Sequence, residues 1–150
     1  MASKAEIDDF LAQEKIAVVG VSRDPNKFGT IVYRDLRSKG YRVFAVNPQA
    51  TQIEADPCFP SLTALPEPVS AAVLVVPPGE TEKVVQEAAQ AGIQRVWMQP
   101  GAESLRAVAF CQENGITCIA DLCVMMFARP VKFPHSAHRL IKKITGRLPK

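Results

Sequence analysis

Five short segments of this 150-residue chain carry residue types that can hold a ligand. Gly20-Val21-Ser22 is followed closely by Arg23 and Lys27; Asn47-Pro48, Val76-Pro77, Gln99-Pro100-Gly101 and Cys123 come later. A glycine in a tight turn before a helix lets the first backbone amides of that helix face an anion, a serine hydroxyl adds a donor, and two cations add counter-charge. That combination suits a phosphorylated ligand. Only the first glycine of G-x-G-x-x-G is present, so the loop departs from the dinucleotide fingerprint. A site for NAD needs an acidic residue at the end of the second strand to hold the ribose hydroxyls, and Asn47 occupies that position. An uncharged residue beside Arg and Lys tolerates an additional phosphate on the ribose.

The chain offers no constellation for independent catalysis: no paired carboxylates at working spacing, no Gly-x-Ser-x-Gly elbow, no HExxH, and no Cys with a His and an Asn in register. Binding is therefore expected rather than an enzyme activity. His135 and His138 have the i, i+3 spacing of a metal pair but no third ligand, and read as surface residues with no metal. The cysteines, Cys58, Cys111, Cys118 and Cys123, show no C-x-x-C spacing and are expected as reduced thiols. Of the four, Cys123 is expected nearest the far end of a ligand, because it follows the carboxyl end of the last strand.

These segments are useful only if the fold brings them together, and the hydrophobic pattern says how. Ser3 and Glu6 form a capping box that opens a helix running to about Glu14. Residues 16–21 are a continuous apolar run rich in β-branched side chains, as in a parallel strand covered on both faces. Ile31, Val32 and Leu36 recur at helical spacing up to Gly40, and residues 41–46 form the second strand. A connector with Pro57, Pro60, Pro66 and Pro68 reads as loop with one short helix near Ser61. Strands at residues 71–76, 94–98 and 116–120 then alternate with helices that end at Gly92 and Gly115. Alternation of this kind predicts one doubly wound parallel sheet, Rossmann-like, with about five strands and helices on both faces. Each candidate segment falls just after a strand, where ligands bind in such sheets.

Length and composition bound the rest. A chain of this size fits a single domain spanning residues 1–150. Its longest apolar runs, residues 71–78 and 124–128, fall far short of the ~20 residues that cross a bilayer. The polar, acidic N-terminus lacks a secretory pattern, so a cytoplasmic location is expected. The net charge of +3 hides an asymmetry: residues 1–128 carry −4, whereas residues 129–150 carry seven basic and no acidic residues. That extension is expected to hold a basic amphipathic helix with Leu140, Ile141 and Ile144 on one side. Without interleaved aromatics it reads as a solvated face rather than a nucleic-acid site.

Residues 19–25 (Val-Gly-Val-Ser-Arg-Asp-Pro), 40–48 (Gly-Tyr-Arg-Val-Phe-Ala-Val-Asn-Pro), 72–78 (Ala-Val-Leu-Val-Val-Pro-Pro) and 96–101 (Val-Trp-Met-Gln-Pro-Gly) resemble the stand-alone CoA-binding domain proteins. More distantly they resemble the CoA-binding domain of the succinyl-CoA synthetase alpha subunit and of ADP-forming acyl-CoA synthetases. The resemblance covers about residues 10 to 125. It implies that Gly20, Ser22, Arg23 and Lys27 face the phosphates, and that Asn47 and Pro48 lie near the phosphorylated ribose. It also implies that Val76 and Pro77 flank the adenine or its linker, and that Gln99 and Gly101 approach the pantetheine arm. Pro100 departs from the family pattern, in which glycine more often follows that glutamine. The synthetases phosphorylate a histidine on a following domain, and neither His135 nor His138 matches that motif. The function so implied is binding of CoA or an acyl-CoA, without a catalytic domain. The alternatives are an NADP- or NAD-binding sensor or reductase on the same fold, and an interaction protein that meets RNA or a protein partner through its basic C-terminal tail. Oligomeric state is not legible.

Overall fold

The computed structural model describes residues 2–131. The expected basic helix, with His135 and His138, lies outside these residues. Ser3 caps α1 (Lys4–Leu11): its hydroxyl accepts from the amide of Glu6 while the Glu6 carboxylate accepts from the amide of Ser3. The chain then alternates through β1 (Lys15–Val19), α2 (Phe28–Ser38), β2 (Arg42–Val46), β3 (Gln52–Ile53), β4 (Asp56–Phe59), β5 (Ala71–Leu74), α3 (Pro78–Gln90), β6 (Arg95–Met98), α4 (Leu105–Glu113) and β7 (Thr117–Ile119). The seven strands form one sheet in the order β3-β4-β2-β1-β5-β6-β7. All neighbours are parallel except β3 and β4.

The five expected strands are present as β1, β2, β5, β6 and β7, and the doubly wound, Rossmann-like reading holds. The connector differs from expectation. Its short helix is there, one 3-10 turn at Leu62–Ala64, but ahead of it β3 and β4 extend the sheet. Pro57 sits in β4 ahead of the pairing with β2, which begins at Cys58, so its missing N–H breaks no bond of the parallel ladder.

Alternate residues of the central strands feed two cores. Ile16, Val18, Ala71, Val73 and Trp97 pack with Phe10 of α1 and Val32, Tyr33 and Leu36 of α2. Ala17, Val19, Ala72, Leu74 and Met98 pack with Val84, Val85 and Ala88 of α3 and Ala107 and Cys111 of α4. Covering both faces explains why these strands read as unbroken apolar runs. Residues 122–131 cross the first face between α1 and α2. Phe127 lies 6.0 Å from Trp97 between ring centroids, and the Trp97 indole donates to the carbonyl of Leu122 at 2.7 Å.

From β1 the chain winds outward through α2 to β2, and after β4 it returns to β5 on the other side of β1. The sheet therefore reverses its winding between β1 and β5, and the loops at their carboxyl ends mark the crevice where doubly wound folds bind ligands. Among the described residues, no helix is long and apolar enough to cross a membrane.

Candidate functional site

Gly20 ends β1 in the left-handed region, at φ +106, where its amide donates to the carbonyl of Val46 on β2. A Cβ on Gly20 would stand 2.0 Å from the carbonyl oxygen of Val75, and one on Gly29, in the first turn of α2, would stand 2.1 Å from the carbonyl oxygen of Gly20. The two glycines thus let the tips of β1 and β5 and the start of α2 meet at a distance no side chain permits. Thr30, buried beside them, fixes the loop from both directions. Its hydroxyl accepts from the Ser22 amide at 3.0 Å and donates to the Ser22 carbonyl at 2.7 Å.

The loop is thereby shaped by its backbone. Ser22 Oγ accepts from the Asp24 amide at 3.0 Å and Asp24 Oδ1 accepts from the Asn26 amide at 2.9 Å, so the serine is part of the turn as well as a possible donor. Lys27 is the N-cap of α2 with extended backbone, and no side chain caps that helix. Pro77 occupies the same position on α3, again without a side-chain cap. The helices that follow β1 and β5 thus begin on the two sides of the switch point without a side-chain cap, and α3 carries Glu80 in its first turn. Arg23 and Lys27 are exposed beside the first of them.

The other expected residues share this edge of the sheet with different degrees of freedom. Asn47 is half-buried and ties two strand tips together: Nδ2 donates to the Val21 carbonyl at 2.7 Å, and Oδ1 accepts from the Gln49 amide at 2.8 Å. Pro48 and Pro77 are exposed and Val76 is half-buried. Gln99 is fully buried rather than presented to solvent. Its Oε1 accepts from the Val124 amide at 2.7 Å and its Nε2 donates to Cys123 Sγ at 3.3 Å, so the side chain fastens the segment after β7 to the end of β6. Cys123 is half-buried. Gly101 has φ +96 with open space where a Cβ would be, and its amide donates to the Glu103 carboxylate at 2.6 Å.

Glu103 also lies beside Asp121. Backbone amides, its own first, hold the Glu103 carboxyl below its usual range, while the adjacent Glu103 pushes Asp121 up. This pair rims a groove of about 660 Å³ along β7, lined also by Glu6, Leu105, Val108 and Cys118. The groove lies at the sheet edge, away from the tips of β1 and β5.

Gly29 and Thr30 were not among the expected site residues. Glycine costs ~1 kcal/mol in a helix relative to alanine, so Gly29 at the start of an amphipathic stretch was the available signal. Nothing in the sequence marks Thr30 as the latch on Ser22.

The fold and the strand-tip loops define a doubly wound α/β domain whose first loop has Gly20 and Gly29 in place of the usual glycine fingerprint. The chain belongs to the CoA binding domain family, whose model matches residues 14–129. It is 35% identical over 121 residues to acetate–CoA ligase [ADP-forming] I of Archaeoglobus fulgidus, covering 74% of this chain and 18% of that protein. It is 29% identical over 123 residues to the uncharacterized protein YneT of Bacillus subtilis, covering 81% of this chain and 91% of YneT. Among solved structures, a conserved hypothetical protein from Pyrococcus furiosus superposes with a TM-score of 0.72 at 42% identity, over 75% of this chain and 97% of that one. The chain thus spans under a fifth of the ligase but nearly the whole of the two small relatives.

Proposed function

We propose that this protein is a cytoplasmic binding domain for CoA or an acyl-CoA, with the ligand lying across the carboxyl tips of β1, β2, β5 and β6. The observation that carries the reading is the first loop. Gly20 and Gly29 bring an uncapped helix end to the switch point, and Arg23 and Lys27 stand exposed beside it. Such an end favours an anion through its amides and its dipole. In this reading Ser22 adds a donor to the diphosphate, Asn47 and Pro48 border the phosphorylated ribose, Val76 and Pro77 border the adenine, and Gly101 gives the pantetheine arm room. Gln99 and Cys123 then act together from beneath, with Gln99 shaping the floor. Ligase chemistry belongs to the much longer relative and is not assigned to this chain.

NAD is disfavoured on a specific ground. Asn47 carries no charge, and both ends of its amide already bind backbone, so no carboxylate is available for a free ribose. A melting scan with CoA, dephospho-CoA, NADP and NAD tests the reading. CoA should shift the transition most, and a ligand at ~100 times its dissociation constant contributes ~2.7 kcal/mol. Arg23→Ala and Lys27→Ala should each weaken CoA by about the ~1.5–3 kcal/mol of a charge-assisted hydrogen bond. The loss will exceed that for dephospho-CoA if the side chain meets the ribose phosphate. A shift with NAD and none with CoA would reverse the assignment.

A further inference from the structure

The sheet ends at β7, so the outer row of that strand's backbone groups meets no further strand among the described residues. A bare sheet edge is a template for another piece of chain, and folded proteins cover or blunt it. Helices α1 and α4 both touch β7, and between them runs the groove of about 660 Å³, with Thr117 and Cys118 on the strand, Glu6 on α1, and Leu105 and Val108 on α4. Its lining includes the carboxylates of Glu6, Glu103 and Asp121 and no Lys or Arg. Leu105 is 90% exposed there, more than any other large apolar side chain among the described residues. A fitting occupant therefore brings cations and apolar side chains together. A second copy set edge to edge would instead place the same three carboxylates against each other, and facing like charges are destabilising.

We propose that the groove along β7 is the docking site of this chain's own basic segment, residues 132–150. That segment carries Lys132, Arg139, Lys142, Lys143, Arg147 and Lys150 with no acidic residue, and it sets Leu140, Ile141 and Ile144 among the cations. Its composition is the complement of the groove: cations for Glu6, Glu103 and Asp121, and apolar side chains for Leu105 and Val108. The reach is sufficient. Val131 is held by the Lys39 carbonyl, just before β2. Strands β2 and β7 stand four spacings apart in the sheet, about 19 Å at the usual strand separation. Residues 132–139 can reach ~26 Å, which brings Leu140 and its neighbours to the edge. Exposed ion pairs are individually weak and screened by salt, so the contact rests on the charges and the apolar side chains together. Docking there covers the bare edge and shields Cys118.

The test treats the full-length protein with a water-soluble carbodiimide, which joins a carboxylate to a lysine amine only where the two already touch, and maps the linked peptides by mass spectrometry. An equal mixture of unlabelled and nitrogen-15-labelled protein separates links within one chain from links between copies. The expected links join Glu6, Glu103 or Asp121 to Lys142 or Lys143 within one chain, and they fade in 1 M salt, where the Debye length falls to ~3 Å. A second measurement follows alkylation of Cys118 by iodoacetamide, an uncharged reagent. In Lys142→Glu/Lys143→Glu the rate at Cys118 should rise several-fold over wild type, with buried Cys58 unchanged as the internal control. The wild-type link map needs no variant and stands if the double variant fails to fold. Links found only between copies, links from those lysines only to carboxylates elsewhere such as Glu80 and Glu82, or no link to the groove at low salt would overturn the proposal, as would equal alkylation of Cys118 in the folded variant and the wild type.

Discussion

At the scale of single residues, the demands of the strand-tip loop are steric. Gly29→Ala puts a methyl group 2.1 Å from a backbone oxygen that has no freedom to retreat, since Gly20 is itself wedged against Val75. Overpacking of this kind costs about 1–3 kcal/mol, and the helix start should shift away from the loop, so urea denaturation should show the loss and CoA affinity should fall with it. Gly79→Ala is the matched control in the first turn of α3, where a Cβ meets nothing within 4 Å. It should be neutral or stabilising by about 0.4–1 kcal/mol. Equal destabilisation by both would show that the contact at Gly20 is not the cause. Gln99→Leu keeps the bulk but removes the acceptor for the buried Val124 amide, at a cost of about 1–3 kcal/mol. Faster hydrogen exchange at Val124, with the β5 ladder unchanged, would locate the damage. Gln99 also shows where sequence reading of a site stops. Its position after a strand is visible in the chain, but whether its amide faces a ligand or the segment after β7 depends on residues 24 and 25 positions further on.

Among the elements, the short β3-β4 hairpin has little core of its own and is held by side chains of α2. Arg34 and Arg37 pair with Glu54, Arg37 also with Asp56, and the Tyr33 hydroxyl donates to Asp56 at 2.7 Å. Tyr41 pins the end of α1 in the same manner, donating to the Leu11 carbonyl at 2.8 Å. Burial first, and then Asp56, raises the Tyr33 hydroxyl, and burial pushes Tyr41 from 10.0 up to about 12. A group raised on folding stabilises fully below its unfolded value and loses that contribution as pH climbs through the folded one. Stability should therefore fall as pH rises from about 10 towards 12. Tyr41→Phe and Tyr33→Phe should each flatten that limb of a urea-midpoint profile; an unchanged limb in both would assign it to other groups. This hairpin was the part of the sheet that the sequence concealed. Pro57 and Pro60 read as breakers, and β3 has only two residues, Gln52 and Ile53, too few for a period to show. The central strands were legible for the opposite reason, because burial on both faces leaves an unbroken apolar run.

Across the whole molecule, stability should be graded from the middle of the sheet outward. β1 is hydrogen-bonded on both sides along its length, to β2 and β5, and Ile16, Ala17, Val18 and Val19 are all buried. β3 is an antiparallel edge of two residues. Native-state hydrogen exchange should find β1 and β5 opening only with global unfolding, β6 close behind, and the hairpin amides exchanging through a much cheaper local opening. Protection of the hairpin equal to that of β1 would contradict a sheet stabilised from its centre.

The last described residue adds a consequence for how this protein can be handled. Val131 donates to the carbonyl of Lys39 at 2.7 Å, and its own carbonyl lies where a side chain on Gly40 would otherwise project. Gly40 comes just before β2, at the amino ends of the parallel strands, so the chain is handed on from the edge opposite the strand tips. A reagent or antibody fragment that grips the described chain at Val131 and Gly40 therefore sits on the edge opposite the strand tips and leaves them open to a flowing solution of ligand.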